Sequence, residues 1–390
     1  MNRACSLVLA TVLASLFQTV PAWCEDAIKP NRLVVALADN PVQPAGDLPV
    51  QSWSSPSGVK VVLMIHGGCG VIPRDKMSDK LADEHREVLK ASLRAGYAAL
   101  QKPNAVNLDG VVEAIKVLED SPLFNAGKGS VFTREGKNEL DASIMDGKSK
   151  QAGAVASTTI IKNPITAARI VLEKSGHVLM VGEGADQFAK AAGIEFVDPS
   201  YFKTEYRWKQ HERGLKEEQE LQEKEKAAKG KELGKAANPD SVDPVAFRRR
   251  TEDRVGTVGA VAIDRAGNVA AGTSTGGLNN KRHGRVGDAP IIGAGNFADN
   301  DSCAISSTGD GEFFLRAVAA HEISSLVKYK GLSIASASKQ VMSQIKDAGG
   351  DGAVIVLTRK GEGAFSYNTE GMYRGYITSD GEAHVFIFEK

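Results

Sequence analysis

From Val59 the chain becomes continuously apolar, VKVVLMIHGG, and closes on two glycines. That pattern predicts a strand buried on both faces that enters a tight turn. Helical spacing of apolar positions follows around Asp83–Leu100 and again around Asp109–Asp120. SPLFNAGKGSVFTREGKNELDASIMDG is glycine-punctuated and predicts turns. AGAVASTTII and HVLMVG predict strands, and NPITAARIVLEK and GADQFAKAAG predict helices. Further on, TVGAVAID, NVAAGTST, APIIGAG and CAISSTG are short apolar runs between glycine turns, each expected to be a strand. Two helices are expected over Glu312–Tyr329 and Ser333–Ala348, then strands from DGAVIVLT, AFSYNT and AHVFIFE. Strands beside helix pairs in both halves predict an α+β body in which helices cover packed sheets.

Three segments break this pattern. Arg3 precedes a short apolar core, Leu7 to Phe17, and Ala22-Trp23-Cys24 offers small residues for signal peptidase. The apolar run is too short to span about 30 Å of hydrocarbon. Residues 1–24 are therefore expected to be a cleaved signal peptide, with a periplasmic or secreted product and no membrane attachment afterwards. Residues 25–58 carry Pro41, Pro44, Pro49 and Pro56 with few periodic apolar positions, and predict an extended arm or a partly disordered linker, with order beginning at Val59. From Glu212 to Lys235, 14 of 24 residues are charged, too many to join a core. Residues 212–256, which include Arg248-Arg249-Arg250 and end at Gly256, predict a flexible surface linker, helical at most in its first half.

Composition narrows the function classes. The 48 basic and 48 acidic side chains balance, so no field attracts nucleic acid or anionic lipid. Of four cysteines, Cys5 and Cys24 leave with the signal; Cys69 and Cys303 could pair in an oxidising compartment but read better as small buried hydrophobes. Gly147-Lys148-Ser149 ends like a P-loop, but Ala142 stands where its first glycine belongs. GAGNFA lacks the acidic residue of a dinucleotide site, and His321-Glu322 meets Ser325 where a zincin needs histidine. G-x-S-x-G is absent. No catalytic cofactor is expected.

The remaining chemistry gathers around Thr257. RVGTVGAVAID places a Gly-Thr turn at the head of a buried strand, directly after the charged linker. About fifty residues later CAISSTGDGEFF combines a strand, a glycine-rich turn and a helix start. Between them, GRVGD sets Arg285 and Asp288 three residues apart, suited to a carboxylate and an ammonium. Alone, each sign is ambiguous: threonine commonly begins strands, and the Arg/Asp spacing equally suits an exposed ion pair.

GTVGAVAID, AGTSTGGLNNK, GRVGD, GAG and STGDGE, with IHGG, PLFNAGKGSVF and ELDASIMDG upstream, occur in one order. This closely resembles the plant-type asparaginase/isoaspartyl peptidase family of N-terminal nucleophile hydrolases, from about Val59 to the C-terminus. The resemblance implies an αββα four-layer sandwich and self-cleavage between Gly256 and Thr257, with 59–256 the alpha-subunit region and 257–390 the beta subunit. It further implies a dimer of such heterodimers. The activity implied is hydrolysis of β-aspartyl dipeptides and L-asparagine to release aspartate. It makes Thr257 the nucleophile with Thr275 in support, and Thr308 with the Gly309 amide the oxyanion hole. Arg285, Asp288 and Gly311 would hold the substrate's α-carboxylate and α-amine, with Asn125 lining the pocket. Carbonyls of Leu118, Glu119, Ser121, Phe124, Ala126 and Lys128 would bind a structural sodium ion. Two departures stand out: Cys69 replaces the family's alanine after HGG, and Asp310 brings a charge close to a carboxylate site. A glycosylasparaginase would carry Asp at position 256, and the rival from another class is an uncut, non-catalytic amino-acid-binding protein.

Overall fold

The structure, a computed structural model, describes residues 48–53, 59–70, 73–229 and 256–388. The expected signal peptide, most of the arm and linker residues 230–255 lie outside the described residues. The first half runs β1 (Val50–Trp53), β2 (Val61–Cys69), α1 (Asp79–Gln101), α2 (Asn107–Glu119), β3 (Leu140–Asp146), β4 (Ala152–Thr158), α3 (Pro164–Ile170), β5 (Leu179–Val181), α4 (Gly182–Ala191) and α5 (Glu205–Lys229). The second half runs β6 (Val258–Ile263), β7 (Val269–Thr275), β8 (Asn296–Ala298), β9 (Ala304–Gly309), α6 (Gly311–Ala317), α7 (Ala319–Lys330), α8 (Ile334–Asp347), β10 (Gly352–Leu357), β11 (Gly363–Tyr367), β12 (Met372–Thr378) and β13 (Ala383–Phe386). The expected α+β class is observed.

The strands form two sheets. The larger has the order β13-β12-β2-β6-β7-β3-β4-β5, and the smaller β1-β11-β10-β9-β8. Hence β6, which starts at Val258, lies centrally, hydrogen-bonded between β2 and β7. Its VGAVAI side chains are buried throughout, as a two-sided interior strand requires. One apolar cluster joins the sheets: Val61, Met64, Val261 and Val269 meet Ile355, Leu357 and Phe365. A second packs α1 and α2 on the larger sheet through Leu89, Leu93, Val111 and Ile115, spaced to share one face of each helix. A third packs α7 and α8 on the smaller sheet through Ile323, Val341, Met342 and Ile345.

Several elements differ from expectation. ELDASIMDG, expected to be turns, contains β3, paired on both edges with β4 and β7. APIIGAG is a turn rather than a strand, and β8 begins only at Asn296. The helix expected from Glu312 to Tyr329 is two helices, broken at Val318, whose φ of 47° is left-handed. The charged stretch from Glu212 agrees with expectation: it is helical as far as Lys229, within its first half, as the continuation of α5. Order begins before Val59, because Val50–Trp53 adds to the smaller sheet beside β11.

That added strand has a specific partner. Arg374 on β12 is completely buried, its guanidinium 5.1 Å from the Tyr367 ring centre and 5.2 Å from that of Phe386. Its Nε and Nη2 donate to Gln51 Oε1 on β1 at 3.1 and 3.0 Å. A charged donor in a dry site depends strongly on each acceptor. Replacing Gln51→Ala should lower stability by about 1.5–3 kcal/mol, read by thermal or urea denaturation. An unchanged midpoint would show that β1 does not secure Arg374.

Candidate active site

Three strand ends converge on one point. Thr257 leads β6, Thr275 ends β7, and Thr308 lies near the end of β9 in the other sheet. The β6–β7 register pairs Val258 with Ser274, which sets Thr257 beside Thr275. Thr257 Oγ1 donates to Thr275 Oγ1 at 3.2 Å, and the Thr257 N–H donates to Thr308 Oγ1 at 2.9 Å. Thr275 Oγ1 also accepts the Gly277 N–H at 3.0 Å, which ties it to the glycine turn after β7. All three threonines are buried.

Gly256 owes its identity to crowding. A Cβ there would collide with Gly68 Cα and Cys69 N, and one at Gly68 would lie 2.8 Å from Gly256 Cα. The two backbones therefore touch at the Gly256–Thr257 junction. Cys69, also buried, sits 3.5 Å from the Thr308 carbonyl. Cys69 and Cys303 are both buried, as expected.

Arg285 and Asp288 lie together, but not as a pair. Arg285 Nε and Nη2 both donate to Glu312 Oε1, at 3.1 and 2.9 Å, a partner that the sequence did not single out. Asp288 is buried, and its Oδ2 has no hydrogen-bond partner among the described residues. Burial lifts its pKa from the ordinary 3.8 to about 7, although Arg285 works against that rise. Gly311 makes the approach possible: a Cβ there would lie 2.7 Å from Asp288 Oδ1 and 3.1 Å from Arg285 Nη2. Asp310 is turned aside, its Oδ2 accepting the Asp351 N–H at 3.0 Å, so its carboxylate serves a backbone turn.

Asn125 is buried behind Thr275. Its Nδ2 donates to Gly277 O at 2.7 Å and its Oδ1 accepts Val131 N–H at 3.0 Å, bracing the glycine turn. Asn125 also belongs to the loop from Leu118 to Lys128. There Leu118 O accepts from Ser121, Phe124 O from Ala126, and Ala126 O from Gly129. A Cβ at Gly127 would strike Glu119 O, and one at Gly129 would strike Phe124 O and lie 2.8 Å from Pro122 O. Lys128 extends outward, its Nζ 5.3 Å from the Tyr201 ring centre. Arg207 of α5 is buried against the same loop and donates to Gly129 O at 2.7 Å.

A threonine that follows glycine at the head of an interior strand, ringed by hydroxyls on an α+β fold, defines the class: the N-terminal-nucleophile type of hydrolase. The family model for asparaginase matches residues 59–387, and the chain belongs to that family. An isoaspartyl peptidase of Escherichia coli is 45% identical over 318 residues, 81% of this chain and 92% of that protein. An isoaspartyl peptidase of Salmonella typhimurium is 43% identical, covering 81% and 95%. An isoaspartyl peptidase/L-asparaginase of Xenopus laevis is 38% identical over 331 residues, 85% and 96%.

Asp288 predicts a pH dependence of stability. The folded protein keeps a proton that the unfolded chain releases between about 4 and about 7, so stability falls as pH rises through that window. Compared with Asp288→Asn, the wild-type protein should lose on the order of 3 kcal/mol more between about pH 4 and about pH 8 in urea titrations. Parallel pH profiles for the two proteins would contradict the burial argument.

Proposed function

We propose that the chain is a self-activating threonine amidohydrolase that cleaves β-aspartyl dipeptides and L-asparagine to release L-aspartate. The observation that carries this reading is the pair of contacts at Thr257, its hydroxyl on Thr275 and its nitrogen on Thr308. In the first reaction Thr257 Oγ1 attacks the Gly256 carbonyl carbon. The C–N bond breaks, an ester to Oγ1 forms, and water hydrolyses it to a Gly256 carboxylate, a free hydroxyl and a free α-amine. That amine, with a reference pKa of about 7.7–8.0, serves as base for its own hydroxyl at neutral pH.

In the second reaction the hydroxyl attacks the side-chain carbonyl of the substrate. Thr308 and the Gly309 amide receive the oxyanion, the amine or ammonia leaves with a proton, and water releases aspartate. Arg285 takes the α-carboxylate, which displaces Glu312 from the guanidinium fork, and Asp288 with Gly311 takes the α-ammonium. Supporting this are the buried, unpartnered Asp288 Oδ2 and the clearance beside it at Gly311. The named activities of the relatives favour the same substrates.

We also propose the finer arrangement that goes with this chemistry. Three apolar clusters, one between the sheets and one beneath each helical layer, support an αββα four-layer sandwich. The products of cleavage would remain associated and pair into a dimer of heterodimers. The sequence of residues 1–24 supports export to the periplasm or medium. In the loop from Leu118 to Lys128, the carbonyls of Leu118, Glu119, Ser121, Phe124, Ala126 and Lys128 would hold a structural sodium ion. The two glycines, which admit carbonyl oxygens where side chains would stand, support that reading.

A denaturing gel and N-terminal sequencing test the central claim: two chains, the smaller of 134 residues beginning at Thr257. Thr257→Ala should abolish both cleavage and aspartate release, whereas Thr257→Ser should retain some of each. One uncut, inactive wild-type band would sink the reading. For the ion, replacing choline with sodium at constant ionic strength should raise the melting temperature, since a ligand of the folded state stabilises it; identical melting curves would remove the sodium assignment.

A further inference from the structure

His66 lies on β2, completely buried, in a strand that is otherwise apolar. Its Nδ1 is 2.9 Å from the carbonyl oxygen of Thr257, and its Nε2 is 2.8 Å from Ser306 Oγ on β9. The carbonyl can only accept, so Nδ1 carries the hydrogen. Burial keeps the ring neutral by pushing its pKa down to about 3, against the help of that same carbonyl. A neutral ring protonated at Nδ1 must accept at Nε2. Ser306 therefore donates to His66. Gly272 O, 3.0 Å from Ser306 Oγ, competes for that proton. Giving it up would leave two lone pairs facing each other at 2.8 Å in a dry interior, which is costly. Thr273 Oγ1 lies 3.1 Å from Ser306 Oγ and donates to Gly295 O at 3.2 Å. The result is a directed relay, Ser306 to His66 to the Thr257 carbonyl.

The relay also explains a glycine. A Cβ at Gly259, two residues beyond Thr257, would strike both Ser306 Oγ and His66 Nε2. Only glycine lets these side chains meet across β6. His66 belongs to the segment before the proposed cut, whereas Thr257, Thr273 and Ser306 belong to the segment after it. Cleavage frees the nitrogen side of Thr257 from the chain. Its hydroxyl and amine must stay in register with Thr275 and Thr308 without that anchor, and the carbonyl is the remaining backbone handle on residue 257.

We propose that His66 is a positioning residue for Thr257, its Nδ1–H holding the carbonyl so that the hydroxyl and nitrogen of residue 257 face Thr275 and Thr308 in both reactions. This rests on the reading of Thr257 as the nucleophile. His66 exchanges no proton with the substrate; it acts through orientation, where small displacements are expensive.

Two amide variants separate this role from simple packing. His66→Asn sets an N–H donor where Nδ1 stands. His66→Gln extends toward Ser306 and leaves the Thr257 carbonyl without its donor. Full-length wild type and both variants would be followed for self-cleavage by gel and, per cleaved molecule, for kcat and KM with a β-aspartyl dipeptide. His66→Gln should lose about 10- to 100-fold in kcat with little change in KM, or fold without cleaving, while His66→Asn stays within a few-fold of wild type. A cleaved His66→Gln with wild-type kcat, or an Asn variant as impaired as Gln, overturns the proposal. If His66→Gln does not fold, Ser306→Ala decides, since it removes the donor that sets the tautomer: a fall in kcat alone supports the relay, and wild-type kcat overturns it. An uncut, inactive wild type would instead refute the nucleophile reading, so the two failures are distinguishable.

Discussion

Where Gly256 crosses Gly68 and the Cys69 nitrogen, neither glycine has room for a side chain. This close approach seats the head of β6 against the end of β2, and the site is arranged around it. With β6 held between β2 and β7, Thr257 meets the hydroxyl that ends β7. The smaller sheet, packed across the apolar cluster, delivers Thr308 from the opposite side. A bulkier residue at 256 would push the strand head outward and separate all three hydroxyls together. For the proposed self-cleavage, the same crowding fixes the Gly256 backbone at the head of β6, and an intramolecular acyl shift depends on such fixed geometry.

Burial does comparable work for the charged groups. Asp288 gives up its ordinary acidity because its surroundings exclude water, and Arg285 offsets only part of that cost. In the uncomplexed protein the guanidinium is occupied by Glu312 from the first turn of α6. The proposed substrate carboxylate therefore exchanges with an existing carboxylate, and its ammonium is what ionised Asp288 lacks. A zwitterion satisfies both groups at once, and a simple acid or amine satisfies only one.

Legibility in the sequence followed the range of the interactions. Strands with unbroken apolar runs, such as VVLMI and AVIVL, were evident because burial on both faces leaves no polar alternation. β3 was hidden: Asp141 and Ser143 are buried within it and engage Ser157, Asn296 and Ala289, so polar residues disguise an interior strand as a turn. The break at Val318 had no glycine or proline to announce it. β1 was unreadable because its stability comes from β11 and from Arg374, more than 300 residues away. At the site, the threonines, Arg285 and Asp288 were visible through their motifs. Glu312 and Ser306 were not assigned roles, since a glutamate opening a helix and a serine in a strand are ordinary in sequence.

The sequence by itself determined the local pieces: a Gly-Thr junction at a strand head, glycine turns after two hydroxyl-bearing strands, and an Arg/Asp loop between them. These are encoded by neighbours in the chain, through turn chemistry and apolar periodicity. Which group touches which was decided by the tertiary structure alone. The contacts that join Thr257 to Thr308 and to His66 span 51 and 191 residues, and that from His66 to Ser306 spans 240. Such contacts exist only once sheet order and the packing of two sheets are set. Hydrogen-bond direction, the protonation of Asp288 and the tautomer of His66 then follow from burial, a property that no short stretch of sequence possesses.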